Sequence, residues 1–232
     1  MKTLALVPAR SGSRGIPNKN TRDLCGMALW EWACGIGLET CDWTALSSDL
    51  STLNATWLWG PRAVFLRRPS RLARDDTPML SVVQHALGCL KEHRFEVVVL
   101  LQPTQPLRQP KHVLAALQLL EETGADSVVS VVEIPAHHSP DYAMEIAGGR
   151  LFPLTWWKKE LTRRQDARWA YSRDGTVYVT RREVIEGGSL YGDDCCPLII
   201  PHSESCNIDT EEDWRRAEAM MKERINGQRQ AV

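Results

Sequence analysis

Residues 7–20, VPARSGSRGIPNKN, gather the cations Arg10, Arg14 and Lys19 into one loop with Gly12, Gly15, Pro8 and Pro17 and no carboxylate. Lys2 and Arg22 flank them, and the first acid of the chain is Asp23. Glycines let backbone amides close on phosphate oxygens, while arginine and lysine supply charge that a triphosphate can share. The chemistry indicated is capture of an anion. The loop is not a Walker sequence, because no Gly-Lys-Ser/Thr follows its glycines, and it is not Gly-x-Gly-x-x-Gly either. On composition alone, a solvated basic loop is the alternative left open.

Three further polar clusters must be brought to that loop if it is to do chemistry: Ser48–Asp49, QPTQPLR at 102–108, and NIDTEEDW at 207–214. The elements between them read as alternating strands and helices. TLALVPA (3–9) and WTALSSD (43–49) are buried strands, and 27–39 is a helix. The helix expected over 79–93 places Leu80, Val83, Ala86, Leu87 and Leu90 on one face. FEVVVLLQ (95–102) is nearly continuously apolar, as strands buried on both faces of a parallel sheet are. A helix over about 110–123, closed by Gly124, leads to the strand DSVVSVVEI, and GTVYVT and PLIIP resume strand patterning near the end. The alternation predicts an α/β fold, a three-layer α/β/α, Rossmann-like domain with a mostly parallel central sheet. Such sheets bind ligands outside the carboxyl ends of their strands, where all four polar clusters fall.

Residues 135–172 interrupt this rhythm with Pro, Gly, Trp and charge, and are expected to be an insertion reaching over the site or toward a partner. A single domain is expected over 1–228, with 229–232 a frayed tail. The 232 residues, 43% hydrophobic and 25% charged, suffice for one sizeable core. A net charge of -1 makes the basic loop a local feature and gives no reason to expect nucleic acid. No apolar run is long enough to span a bilayer, and a soluble, cytoplasmic protein is expected. The seven cysteines form no C-x-x-C pair of the kind zinc uses, and read as reduced thiols. The vicinal Cys195 and Cys196 are a poor disulfide candidate. His137 and His138, if on a strand, face opposite ways and share no ligand.

The opening loop PARSGSRGIPNKN resembles the N-terminal signature of the CMP-acylneuraminate (CMP-sialic acid) cytidylyltransferases and their relatives acting on ketodeoxyoctulosonate, legionaminic and pseudaminic acids. LLQPTQPLR (100–108), RRQDARWAYSRDGTVYV (163–179) and NIDTEEDW (207–214) match in the same order, so the resemblance spans nearly the whole chain. It implies a nucleotide-diphospho-sugar transferase-like fold and transfer of CMP from CTP to an acidic acceptor, with pyrophosphate leaving. By that resemblance Arg10, Ser11, Gly12, Ser13, Arg14, Lys19 and Asn20 bind the nucleotide, and Arg68 with Thr77 lies in the segment that reads cytosine. Gln102, Arg164, Gln165, Tyr171 and Arg173 fall to the acceptor. Arg10, Lys19 and Asp209 are the implied catalytic groups, and Asp209 with Asn207 the implied ligands of Mg²⁺ or Mn²⁺. The resemblance also implies a homodimer formed through 135–172, with Trp156 and Trp157 at the interface or packed locally.

Nucleotidyl transfer asks mainly for positioning and charge neutralisation, and needs no covalent nucleophile. None is legible: there is no G-x-S-x-G elbow and no Cys–His dyad. Three departures bear on the acceptor and the metal. Ser172 stands where the family commonly has arginine, with Arg173 beside it; Asp141 stands where the sialic acid enzymes tend to offer lysine; and Asn207 replaces an aspartate. Asp174 reads either as an acceptor contact or as the first half of an Asp-Gly turn. Asp209 reads either as metal ligand or as part of a helix start, and Asp49 is the next carboxylate to consider for the metal. Two alternatives stay open: a different anionic acceptor, such as a phosphonate, or a nucleotide-binding homologue without turnover.

Overall fold

The computed structural model describes residues 1–13, 15–50, 60–154 and 168–230. In chain order the elements are β1 (Thr3–Pro8), β2 (Asp23–Leu24), β3 (Met27–Ala28), α1 (Leu29–Thr40), β4 (Trp43–Ser48), β5 (Ala63–Arg67), α2 (Met79–Cys89), β6 (Val97–Leu100) and α3 (Pro110–Thr123). There follow β7 (Ser127–Glu133), β8 (Met144–Ala147), β9 (Arg150–Pro153), β10 (Tyr171–Arg181), α4 (Arg182–Glu186), β11 (Cys195–Ile199) and α5 (Glu211–Gln230).

Seven strands form one sheet in the order β11-β7-β10-β6-β1-β4-β5. All neighbours run parallel except β10, which is antiparallel to both β6 and β7, so the sheet is mostly parallel as expected. Alternation of side chains sends Ala5, Val7, Leu46, Val97 and Val99 to one face, where Ala33 of α1 and Val113, Ala116 and Leu120 of α3 cover them. Leu4, Leu6, Ala45, Val98 and Leu100 go to the other, beneath Val83, Ala86 and Leu87 of α2 and Ile185 of α4. Gly37 permits the close approach of α1 to the sheet: a Cβ there would lie 2.7 Å from that of Ala5. A third cluster joins Ile16 of the basic loop to Leu107, Ile208 and, from α5, Trp214, Ala217 and Met221. Full burial of Ile16 and Ile208 contributes about 1.5–3 kcal/mol each. That cluster fastens the basic loop and the 207–209 segment to one another.

Several expectations are corrected. The helix expected over 79–93 ends at Cys89; a 3-10 turn over Lys91–His93 and a left-handed Arg94 (φ 49°) redirect the chain into β6. The 95–102 strand is shorter, Val97–Leu100, because its ends leave the ladder for the loops. β5 escaped sequence reading, being five residues bracketed by Arg62 and Arg68. The insertion ends before Tyr171, since β10 starts there and crosses a register shift between Arg173 and Tyr178. Within the insertion lies a hairpin, β8–β9. His137 and His138 sit on a 3-10 turn, not a strand, and their ring centroids are 4.1 Å apart. The tail expected from 229 is helical to Gln230. Trp30 is buried and Trp32 only partly so, while Trp57, Trp59, Trp156 and Trp157 lie outside the described residues.

Candidate active site

A cleft of about 330 Å³ opens at the carboxyl ends of β1 and β6, and the basic loop, the 102–104 turn and the 207–209 segment all line it. Of the nucleotide-side residues, Arg10, Gly12, Ser13, Lys19, Asn20 and Arg68 are in its wall. Gln102 represents the acceptor side, and Asn207 and Asp209 the metal side. Three cations therefore face one carboxylate across the cleft, a balance that favours a polyanionic ligand.

Lys19 is the hinge of this arrangement. It lies in a short 3-10 turn, is 9% exposed, and its Nζ donates to the Ile208 carbonyl at 2.6 Å and to Asp209 Oδ1 at 3.0 Å. Its partners are 189 and 190 positions away in sequence, so one ammonium group ties the opening loop to the last loop of the fold. Asn20 does the local work: its Nδ2 donates to the Arg10 carbonyl at 3.0 Å and fixes the return of the loop. Arg10 pairs with Asp75, an exchangeable partner that an incoming phosphate would displace or share.

The 207–209 segment is held by a ladder-like bond from the Ile208 amide to the Thr104 carbonyl, 3.0 Å. Asn207 Nδ2 donates to Asp209 Oδ2 at 2.5 Å, so the neutral residue orients its acidic neighbour. The start of α5 is capped without Asp209's carboxylate: the Asp213 amide donates to Thr210 Oγ1 (3.2 Å), and the Thr210 amide to Asp213 Oδ2 (2.8 Å). Cap and cleft functions thus fall on different residues. Asp49 is occupied elsewhere, accepting from the Ser11 amide (2.8 Å) and hydroxyl (2.5 Å). Burial opposes its ionisation, but those bonds outweigh it and leave the carboxyl below its ordinary value. It shapes the loop, and neither Asp49 nor Ser11, a loop-fixing residue, lines the cleft.

Arg68 lines the cleft from the end of β5, yet its guanidinium is committed to Ser47, through Nη2 to the carbonyl (2.8 Å) and Nε to the hydroxyl (3.1 Å). Burial pushes its pKa down to about 10. Thr77 stays out of the wall, its hydroxyl donating to the Arg71 carbonyl at 3.3 Å, and Met79 takes that place.

On the acceptor side, two residues that sequence reasoning passed over carry the architecture. Gln105 and Arg108, both buried, clamp the irregular stretch of β10 to the 102–108 loop. Gln105 Nε2 donates to the Asp174 carbonyl and Oε1 accepts from the Cys206 amide at 3.2 Å. Arg108 Nη2 donates to the Gln102 carbonyl at 2.7 Å, and Nε to the Thr176 carbonyl. The doubled Gln-Pro of QPTQPLR was the available signal, since a polar side chain between prolines and apolar runs has to satisfy backbone somewhere. Gly175 has φ +83°, and a Cβ there would lie 3.1 Å from Gln102 Oε1. Asp174 accepts from the Thr176 amide at 3.1 Å and from its hydroxyl, so the turn reading of Asp174 holds.

Tyr171 and Arg173 do not line the cleft. Arg173 donates to the Tyr191 hydroxyl, its guanidinium 5.0 Å from that ring. Asp141, at the position noted for its missing lysine, pairs with Arg168. Arg14, Arg164 and Gln165 lie outside the described residues. Among the described residues no three His, Cys, Asp or Glu side chains form a metal cage.

A cytidylyltransferase family model matches residues 4–186. The CMP-N,N'-diacetyllegionaminic acid synthase of Legionella pneumophila is 31% identical over 96% of this chain and 97% of its own length. The N-acylneuraminate cytidylyltransferase A of Danio rerio is 29% identical over 92% of this chain, which spans about half (49%) of that longer protein. Among solved structures, a CMP:2-keto-3-deoxy-manno-octonic acid synthetase complexed with CTP superposes with a TM-score of 0.70 at 16% identity, covering 97% of this chain and 100% of that one, a likeness of fold.

Proposed function

The chain belongs to the cytidylyltransferase family, and from that premise we propose that it transfers CMP from CTP to a nonulosonic, keto-acid sugar, releasing pyrophosphate. The observation that carries the reading is Lys19 bridging the basic loop to Ile208 and Asp209 at the mouth of the sheet. It puts the cations of the basic loop and a carboxylate side by side in one cleft. Relatives that act on diacetyllegionaminic and acylneuraminic acids support the acceptor class, and the departures at Ser172 and Asp141 favour a nonulosonic acid other than sialic acid itself.

In this reading Lys19 and Arg10 bind the triphosphate and balance the charge that moves onto the leaving pyrophosphate. The acceptor hydroxyl attacks the α-phosphorus from the Gln102 side, and Gln102 orients it. Asp209 and Asn207 offer hard oxygen donors, which suit Mg²⁺ or Mn²⁺ held jointly with substrate phosphates in place of an all-protein cage. When bound, such an ion supplies positive charge to the phosphoryl oxygens. Asp209 holds the protein's share of that charge, and Asn207 keeps it aimed.

The exposed hairpin β8–β9 supports a homodimer, and seven cysteines without a disulfide support a cytoplasmic setting. Among the described residues no helix is long and apolar enough to cross a membrane. Pyrophosphate release from CTP, measured with Mg²⁺ against a panel of nonulosonic acids, tests the proposal. Turnover with legionaminic-type acceptors is expected; release with none of the panel would overturn it.

A further inference from the structure

A second cleft, of about 210 Å³, shares no lining residue with the first. Trp32 and Ile36 of α1 form an apolar wall, while Arg108, Arg224, Gln105 and Gln109 form a polar one that contains two guanidinium groups and no carboxylate. Arg108 is 3% exposed, and among the described residues neither arginine forms an ion pair. Burial pushes Arg108 down to about 9 and Arg224 below its ordinary value.

Their hydrogen bonds go to backbone carbonyls and, from Arg224 Nη2, to the Met221 sulfur at 3.0 Å. Arg108 uses Nε and Nη2 on Thr176, Gln102 and Gly175, and its Nη1 bonds to no described residue; Arg224 Nη1 donates to the Leu107 carbonyl at 2.9 Å. Carbonyl oxygens satisfy donors but do not cancel charge; Asp174 acts on Arg108 and Glu204 on Arg224 only from beyond ion-pair distance, so burial still outweighs their attraction. Gln109 and Pro110 bring to the same cleft the amino end of α3, a 14-residue helix whose dipole adds to the positive potential.

We propose that this second cleft is an anion site that takes a small phosphate-class oxyanion. Its volume falls below the roughly 300 Å³ at which pockets for larger organic ligands begin, which suits phosphate or pyrophosphate better than a whole nucleotide. The site bears on the first cleft mechanically. Arg108 and Arg224 also hold the carbonyls of Gln102 and Leu107, so an oxyanion between them braces the loop that presents Gln102.

The probe is inorganic phosphate, titrated into the metal-free full chain in saturating CTP and read at the Trp32 indole N–H resonance, which Trp32→Phe identifies by its loss. A saturable shift that persists with CTP, survives Arg10→Ala and weakens at least tenfold in Arg224→Gln is expected. Gln109→Glu places a carboxylate in the cleft while keeping the arginine bonds to the loop, and is expected to abolish the shift. No shift at Trp32, a shift abolished by CTP, or wild-type affinity in Gln109→Glu would overturn the proposal. A chain that binds phosphate at Trp32 but shows no CTP binding would instead sink the nucleotide reading above and leave this site standing.

Discussion

Gly15 packs so closely on Asp209 that a Cβ at Gly15 would occupy the space of the Asp209 carbonyl oxygen. Both partners are backbone, so neither can swing aside. Gly15→Ala should therefore push the basic loop away from the 207–209 segment at a cost of about 1–3 kcal/mol, as overpacking generally does. Thermal unfolding of the variant checks the stability loss, and CTP affinity should fall with it. A variant as stable and as tight-binding as the wild type would show that the two loops are not mechanically joined.

The Lys19–Asp209 pair separates binding from turnover. Arg10→Ala should lose about 1.5–3 kcal/mol of CTP affinity, the range for a charge-assisted contact. Asp209→Asn should keep the fold, because Thr210 and Asp213 cap α5 without its carboxylate, and should lower turnover roughly 10²–10³-fold. Calorimetric binding of CTP beside a steady-state rate distinguishes the two effects. Loss of stability in Asp209→Asn with an unchanged rate at saturating Mg²⁺ would make the residue structural.

Asn207→Asp has a two-signed outcome. Asn207 Nδ2 now donates to Asp209, and an aspartate replaces that bond with like-charge repulsion. Without metal the variant should melt lower than the wild type; with Mg²⁺ it should bind the ion more tightly and recover. A melting temperature indifferent to Mg²⁺ in both proteins would remove residues 207 and 209 from the metal site.

Acid should weaken the tether that leads into this segment. Lys111 Nζ and His112 Nε2 each lie 2.6 Å from a Glu204 carboxylate oxygen and hold that carboxyl below its ordinary value of 4.5. Burial above all keeps His112 below its ordinary value of 6.5. Both groups are less readily protonated folded than unfolded, so their contributions are complete above the unfolded values and are lost as pH falls through the folded ones. Melting temperature should thus decline from about pH 6.5 downward and more steeply below 4.5. Glu204→Gln should flatten the lower limb and deepen the upper one, because Glu204 now raises the His112 pKa against its burial; an unaltered profile would deny Glu204 its role.

Periodicity made the sheet order's ingredients legible because β1, β6 and β7 are mostly apolar runs, while β4 (WTALSS) buries small polar residues beside its apolar ones. It missed β5, whose flanking arginines mask a short strand that owes its pairing to β4. Lys19 was legible from the charge of its loop, whereas the site role of Asp209 rested on the family resemblance, its own residues leaving a helix start open. Gln105, Arg108 and Asp213 were not legible, because what they do is satisfy backbone groups from other parts of the chain, and only the tertiary structure reveals which. Arg68 shows the converse: the family resemblance put it beside the nucleotide, and its commitment to Ser47 was not legible.

The β8–β9 hairpin makes the oligomeric state testable at two positions. Ile146 and Leu151 are cross-strand partners, 75% and 65% exposed, and Met144 and Pro153 extend the same face. A two-stranded ribbon with an uncovered apolar face is marginal in water, so a partner surface is the natural source of its stability. Trp169 is likewise exposed (77%) where the chain leaves the insertion. Ile146→Glu with Leu151→Glu should convert a homodimer to a monomer in light scattering while the circular dichroism of the α/β domain stays unchanged. Acceptor turnover should fall further than CTP binding if the partner's hairpin completes the acceptor side, and should be untouched if it does not. A wild-type protein that scatters as a monomer at high concentration would end the dimer reading outright.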